Sequence, residues 1–215
     1  MAGVVFALLG FWRPSLAQVF RGELNSSPGS IQVAVPGNEA SEITTVAARP
    51  RPRKDGSWLC GCYNLVVSLK DGSTLSVPFY AADGTFHLSV IHLTPQYDWP
   101  EIVLIRHHAK GTNVASDKLT IYGVQKNSIK RLFSKRISGW FGVAAWWYNV
   151  NREIVFPNGR NAETALSLTL HHDPINLHWD EVPSLIPKVK KLCIMWFRGR
   201  IREYDGRTCS QLHPN

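Results

Sequence analysis

Residues 126–136 carry five cations, Lys126, Lys130, Arg131, Lys135 and Arg136, interleaved with Ile129, Leu132 and Phe133. Ammonium and guanidinium groups gathered on one surface do the chemistry of anion attraction, toward nucleic-acid phosphates, anionic lipid headgroups or an acidic protein. A second group lies near the C-terminus, where Arg198, Arg200 and Arg202 alternate with Gly199 and Ile201. On one strand these guanidinium groups share a face at intervals of about 6–7 Å, near the separation of successive phosphates. The third is Arg49-Pro50-Arg51-Pro52-Arg53-Lys54. Its prolines fix φ and disfavour helix for the residue before each, so Arg49, Arg51 and Arg53 are expected on an extended, polyproline-like stripe. The chain as a whole has 24 Lys and Arg against 16 Asp and Glu, a net charge of +8.

Aromatic residues accompany the first group: Trp140, Phe141, Trp146, Trp147 and Tyr148 fall within nine residues. If residues 144–150 form a strand, Trp146 and Tyr148 share one face and Trp147 takes the other. Trp140 and Trp147 are therefore the candidate anchors at a lipid interface, on a nucleic-acid base or in a subunit contact.

The commonest catalytic fingerprints are missing: G-x-S-x-G, the P-loop, the dinucleotide glycine pattern and H-E-x-x-H. No catalytic residue, cofactor or small-molecule substrate is predicted, and the expectation is a protein that binds. Of eight histidines, the pair His107-His108 and the group His171-His172-Asp173, with His178 close behind, invite a metal or acid–base reading. Adjacent strand residues point to opposite faces, so each pair lends at most one imidazole to a site, and no metal is predicted. Cys60, Cys62, Cys193 and Cys209 allow two disulfides, one zinc site or four thiols. Cys60-Gly61-Cys62 lacks the C-x-x-C spacing of zinc turns and reads as alternate strand positions, with free buried thiols as the expectation.

Strands must position these groups. Residues 63–69 and 74–79 flank Lys70-Asp71-Gly72-Ser73, where Asp-Gly is a strong hairpin signal. Further strand-like runs cover 86–93, 102–107, 118–124, 144–150, 153–156, 165–171 and 191–202. Ile129, Leu132, Phe133 and Ile137 recur at helical spacing, which predicts a basic amphipathic helix over 127–137. The fold class expected is mainly β, an antiparallel β-sandwich or partly open barrel with one or two short helices. Residues 1–21 form an apolar N-terminal segment, either a signal peptide cleaved near residue 17 or a docking helix. Residues 22–54 read as an extended arm with one strand near 30–35, and 55–215 as a single β-rich domain.

The run from Asn64 to Ile137 resembles the matrix proteins of non-segmented negative-strand RNA viruses, the bornavirus type in particular. The residues that carry this are Asp71-Gly72-Ser73-Thr74-Leu75-Ser76-Val77-Pro78-Phe79, the strand at 102–105, and Lys118-Leu119-Thr120-Ile121-Tyr122 leading into Asn127-Ser128-Ile129-Lys130-Arg131-Leu132-Phe133. The resemblance implies a β-sandwich that self-associates beneath a viral envelope, in the virion or at the inner membrane surface of the host cytoplasm. It would bind anionic lipid membrane and RNA or ribonucleoprotein through Lys126, Lys130, Arg131, Lys135 and Arg136. Two other readings stand beside it: a nucleic-acid-binding capsid or silencing-suppressor protein, and a secreted, disulfide-bonded β-sandwich that recognises a host surface.

Overall fold

Alternation of apolar and polar residues, punctuated by turn residues, drives the described parts of this chain into strands nearly throughout. The computed structural model describes residues 31–33, 42–51, 61–93, 99–110, 114–125, 127–140, 145–155, 163–172, 187–197 and 200–205. The elements are β1 (Ile31–Val33), β2 (Ile43–Pro50), β3 (Cys62–Leu69), β4 (Thr74–Tyr80), a 3-10 turn (Ala82–Gly84), β5 (Phe86–Ile91), β6 (Glu101–Lys110), β7 (Val114–Gln125), β8 (Ser128–Arg136), β9 (Ser138–Trp140), β10 (Ala145–Val155), β11 (Glu163–His172), β12 (Lys191–Phe197) and β13 (Arg200–Asp205). The fold is mainly β, built of open antiparallel sheets, and no closed barrel forms among the described residues.

One sheet runs β1-β2-β3-β4 and the other β13-β12-β11-β10-β9-β7-β6-β5, with β8 also paired to β7. The larger sheet folds over itself, so its β5–β8 portion becomes a middle layer with apolar residues on both faces. On one face Leu88, Ile102, Leu104, Tyr122 and Val124 pack with Val46, Leu65, Val67 and Phe79 of the small sheet. On the other, Val103, Leu119, Ile121 and Ile137 pack with Trp146, Tyr148, Leu166, Leu168 and Ile194 of the β10–β12 portion. Double coverage explains why Glu101, Ile102, Val103 and Leu104 are all buried in succession, a pattern a strand with one wet face does not show.

The 70–73 hairpin forms as expected. Ser68 faces Thr74 across β3 and β4, the Ser73 N–H donates to Asp71 Oδ1 at 2.8 Å, and Gly72 takes φ of 82°. Gly61 has a stricter requirement. Its φ is 59°, and a Cβ there would lie 2.1 Å from the Ala81 carbonyl oxygen, so only glycine lets β3 begin beside the end of β4.

Four expectations are corrected. The basic helix over 127–137 is strand β8, hydrogen-bonded along β7 from Lys118↔Arg136 to Gln125↔Ser128. The 22–54 arm is not free of the domain, because β2 within it pairs with β3 from Ile43↔Leu69 to Pro50↔Tyr63. The strand expected over 191–202 is a hairpin, β12 and β13, in which Phe197 faces Arg200 and Met195 faces Arg202. The cysteines expected as free thiols are not free where they are described: Cys62 and Cys193 are both disulfide-bonded. Cys60, Cys209 and the apolar segment 1–21 lie outside the described residues. Among the described residues no helix is long and apolar enough to cross a membrane.

Candidate anion-binding cleft

The register of the middle layer places three cations in line. Arg106 of β6 lies opposite Lys118 of β7, and Lys118 lies opposite Arg136 of β8. Directly opposed residues share a face, and neighbouring strands are about 4.8 Å apart, so the row crosses roughly 10 Å. Like charges in this arrangement destabilise a sheet unless something offsets them. Among the described residues no carboxylate pairs with any of the three. The Arg106 guanidinium instead donates through Nη1 to the Tyr80 carbonyl at 3.3 Å, holding the end of β4 beside the row. Burial first, and then Arg106, Arg131 and Arg136, push the Lys118 ammonium below its ordinary pKa.

A β-bulge adds the fourth cation. The β7–β8 register shifts between Ile121 and Tyr122, so that Ile121 faces Phe133 while Tyr122 faces Arg131 and Leu132 is the extra residue. Strict alternation would put Arg131 and Arg136 on opposite faces. The bulge reverses the sense of β8, and Arg131 joins Arg136 on the Lys118 face. Gly123 accommodates it, since a Cβ there would come within 2.7 Å of Leu132 Cδ1.

Lys118 and Arg136 of the row also line a cleft of about 950 Å³, together with Tyr80, His108, Ser116, Ser134, Lys135 and Trp146. Ser116 faces His108 across β6 and β7. Tyr80 lies with its ring 6.3 Å from that of His108. Burial, followed by the fields of Arg106, Lys118, His107 and Arg136, lowers the His108 pKa, which keeps this imidazole neutral near pH 7. His108 Nε2 and Trp146 Nε1 are both buried with no hydrogen-bond partner in the structure. Such groups ordinarily find partners, because an unsatisfied buried donor costs about 1–3 kcal/mol.

The other sequence-predicted residues separate. Lys135 faces away from the row, tied to Glu203 of β13 at 2.8 Å and lying over the Tyr148 ring at 5.7 Å, so it joins two layers of the fold. Lys130 is exposed opposite Gly123. Arg200 and Arg202 are exposed on β13, on the face opposite Ile201, which packs into the second core. Arg49 is exposed on β2 opposite Asn64 in the small sheet, and Arg51 follows it, its N–H donating to the Cys62 carbonyl at 2.8 Å. Lys126, Arg53 and Arg198 lie outside the described residues. Of the aromatic anchors, Trp140 is 48% exposed and stands on β9 opposite Ala115, one residue from the Val114 and Ser116 walls of the cleft. Trp147 is half-buried and stacks on His171 at 5.8 Å, facing away from Trp146 and Tyr148 as the alternation predicted.

Arg106 and Lys118 were not singled out as ligand contacts by the sequence, His108 was considered only within the His107-His108 pair, and Trp146 only within the aromatic cluster. Each sits in an ordinary-looking strand, and only the pairing of β6 with β7 brings the first three together.

The opposite face of the same strands holds a polar network of a different kind. His107 Nδ1 lies 2.8 Å from Asp117 Oδ1, and Ser138 Oγ donates to Asp117 Oδ2 at 2.8 Å. The Asp117 N–H donates back to Ser138 Oγ at 2.7 Å. A nucleophilic serine needs the imidazole as its base, whereas here both the serine and the histidine bind the carboxylate. The arrangement staples β6, β7 and β9. The second isolated carboxyl, Glu101, is 4% exposed and accepts the Leu93 N–H at 2.8 Å. Burial raises its pKa to about 7, partly offset by the Leu93 and Glu101 N–H groups. Among the described residues no group of three or more His, Cys, Asp or Glu gathers as a metal site.

No family model, no curated protein and no solved structure matches this chain.

Proposed function

We propose that this chain is a non-enzymatic binding protein that holds an anionic ligand across the Arg106, Lys118, Arg131 and Arg136 face. The carrying observation is the opposed row Arg106–Lys118–Arg136, three cations in register without a carboxylate partner among the described residues. A fold tolerates such a row when the loss in stability is offset by a bound polyanion. Of the three settings the sequence allows, the disulfides at Cys62 and Cys193 favour the secreted one, because such bonds persist in oxidising compartments. The ligand is then an anionic polymer at a cell surface, such as a sulfated glycan, whose charges match the row of cations on this face.

The matrix-like reading is kept as the second, on the same cationic row. In it the protein is a viral structural protein that self-associates and meets anionic lipid or RNA, with Trp140 as the membrane anchor. A panel separates the two. Binding of the full chain to a labelled heparin fragment, to single-stranded RNA and to phosphatidylserine vesicles is measured from 50 to 200 mM salt. Heparin is expected to bind most tightly, with an affinity that falls with a log–log slope of about −3, as for three or four neutralised charges. Selective binding to RNA or to vesicles would transfer the proposal to the second reading, and binding to none of the three would refute both.

A further inference from the structure

β8 is covered on both faces, yet none of its residues is buried. Ile129 packs into the first core, Phe133 into the second, and Lys135 reaches across to Glu203. Even so, every residue of β8 is half-buried or exposed, whereas the facing stretch of β7 from Leu119 to Val124 is buried throughout. β7 has β6 on its other side, while among the described residues β8 pairs with β7 alone. Solvent therefore reaches β8 along its outer edge, where backbone N–H and C=O groups have no described strand to meet.

The edge opens at a defined point. β9 continues the line of β8 and pairs with β10 on its outer side, and the Tyr148 N–H donates to the Ile137 carbonyl at 2.6 Å. Beyond Ile137, β10 crosses over the second core and leaves the edge of β8 open. The Ile137 N–H itself donates into the sheet, to the Asp117 carbonyl at 2.9 Å, so by alternation the N–H groups of Arg136 and Ser134 point outward. The cleft reaches the strand here. Ser134, Lys135 and Arg136 line it in succession although neighbours on a strand point to opposite faces, so it runs around the edge of β8 and not along one face.

Only an extended polypeptide matches such an edge, because it alone presents N–H and C=O groups at the strand repeat; a glycan, a nucleic acid or a lipid headgroup does not. A second copy of this strand is a poor occupant. β8 carries Lys130, Arg131, Lys135 and Arg136, so pairing two β8 edges sets cations against cations. The same charges suit a strand of opposite sign. Lys135 has Glu203, but no carboxylate among the described residues pairs with Lys130, Arg131 or Arg136. A residue added opposite Arg136 shares its face and extends the Arg106–Lys118–Arg136 row by one position, where a carboxylate meets the unpaired guanidinium.

We infer that the outer edge of β8 is a docking site for an extended acidic segment of a partner protein, which joins the middle layer as an antiparallel strand with carboxylates facing Arg131 and Arg136. The sense is that of the existing ladder with β7. This goes beyond the glycan reading, because backbone hydrogen bonds hold the partner and charge selects it.

The test uses the full chain and a fluorescein-labelled peptide of about ten residues in which valine and glutamate alternate, followed by fluorescence anisotropy at about 150 mM salt. The peptide should bind saturably, and its counterpart with lysine for glutamate should bind at least about 10-fold more weakly. N-methylation separates strand pairing from charge attraction, since successive N–H groups of a strand point to opposite edges. Methylating the glutamate nitrogens, which face β8 when the glutamates stand opposite Arg136, should weaken binding by at least about 10-fold, and methylating the valine nitrogens should leave it nearly unchanged. On the protein side, Ser134→Pro removes an outward N–H from an edge strand, where proline is tolerated, and should weaken the peptide by about 10-fold while the labelled heparin fragment binds as before. Should Ser134→Pro fail to fold, the two methylated peptides decide the matter on the parent chain. Equal affinities for those two peptides, or no binding of the unmethylated one, would overturn strand addition. Heparin bound without the peptide would overturn the edge site alone, and the peptide bound without heparin would overturn the glycan reading alone.

Discussion

Lys118→Glu is expected to make the protein more stable while removing its affinity for polyanions. Lys118 stands between Arg106 and Arg136 in the register of three adjacent strands, so reversing its charge turns two repulsive cross-strand pairs into attractive ones. Opposed charge pairs in sheets are worth about 0.2–1 kcal/mol each, which gives a gain of about 1 kcal/mol in denaturant unfolding. The same change replaces the centre of the cationic row by an anion, and binding of a labelled polyanion at low salt should fall by at least about 100-fold. These opposite movements matter, since a variant that loses binding by misfolding cannot also unfold later. A destabilised Lys118→Glu chain that keeps its affinity would refute the ligand-binding role of the row. Lys135→Glu is the matching control: it breaks the pair with Glu203 and should cost stability more than affinity.

The largest pH effect should come from Glu101, which is buried between β5 and β7 and shares its carboxylate only with N–H donors. Its folded pKa of about 7 lies above the ordinary carboxylate value. Below about pH 4.5 the group is protonated in both states and contributes no difference. As pH rises from there, the unfolded chain releases a proton that the native chain retains, so stability declines until the native carboxyl ionises near pH 7. The full difference is roughly 3 kcal/mol, complete by about pH 8. Glu101→Gln keeps a carbonyl to accept the Leu93 N–H and removes the ionisation. The variant should therefore be about 1 kcal/mol less stable than the parent near pH 4, where only the cost of burying the amide N–H₂ counts, and about 2 kcal/mol more stable by pH 8. Parallel stability curves from pH 4 to pH 8 would show that Glu101 is not the buried acid described.

Much of the fold was legible in the sequence, and the failures have physical causes. Asp71-Gly72 marked the hairpin because a turn there needs positive φ and a side-chain acceptor, both of which it has. Trp146, Trp147 and Tyr148 separated by face as period-two alternation requires. β8 misled because it belongs to a layer covered on both sides and carries a bulge. Ile129 packs with the first core, Phe133 and Ile137 with the second, and Leu132 is the bulged residue lying on Gly123. Apolar residues that alternate between two cores with one position inserted reproduce helical spacing. The ladder with β7 outweighs that local pattern. The split of residues 191–202 was hidden because the hairpin lies within a continuous basic and apolar run.

The candidate site was less legible than the fold. Arg131 and Arg136 were correctly singled out by charge, but they share a face only through the bulge. Arg106 and Lys118 carry no local signal, since their partners lie on other strands. The cysteines show the same limit: the spacing at Cys60-Gly61-Cys62 did not predict the bonding state found at Cys62 and Cys193.

The central claim is that a polyanion lies on the Arg106–Lys118–Arg136 row, and lysine acetylation footprinting with and without a saturating heparin fragment tests it most directly. Lys118 should lose reactivity several-fold in the complex, while Lys70 in the distant hairpin turn and Lys191 at the start of β12 should react as before. Equal protection of all three lysines, or protection of Lys70 or Lys191 with Lys118 unchanged, would contradict it.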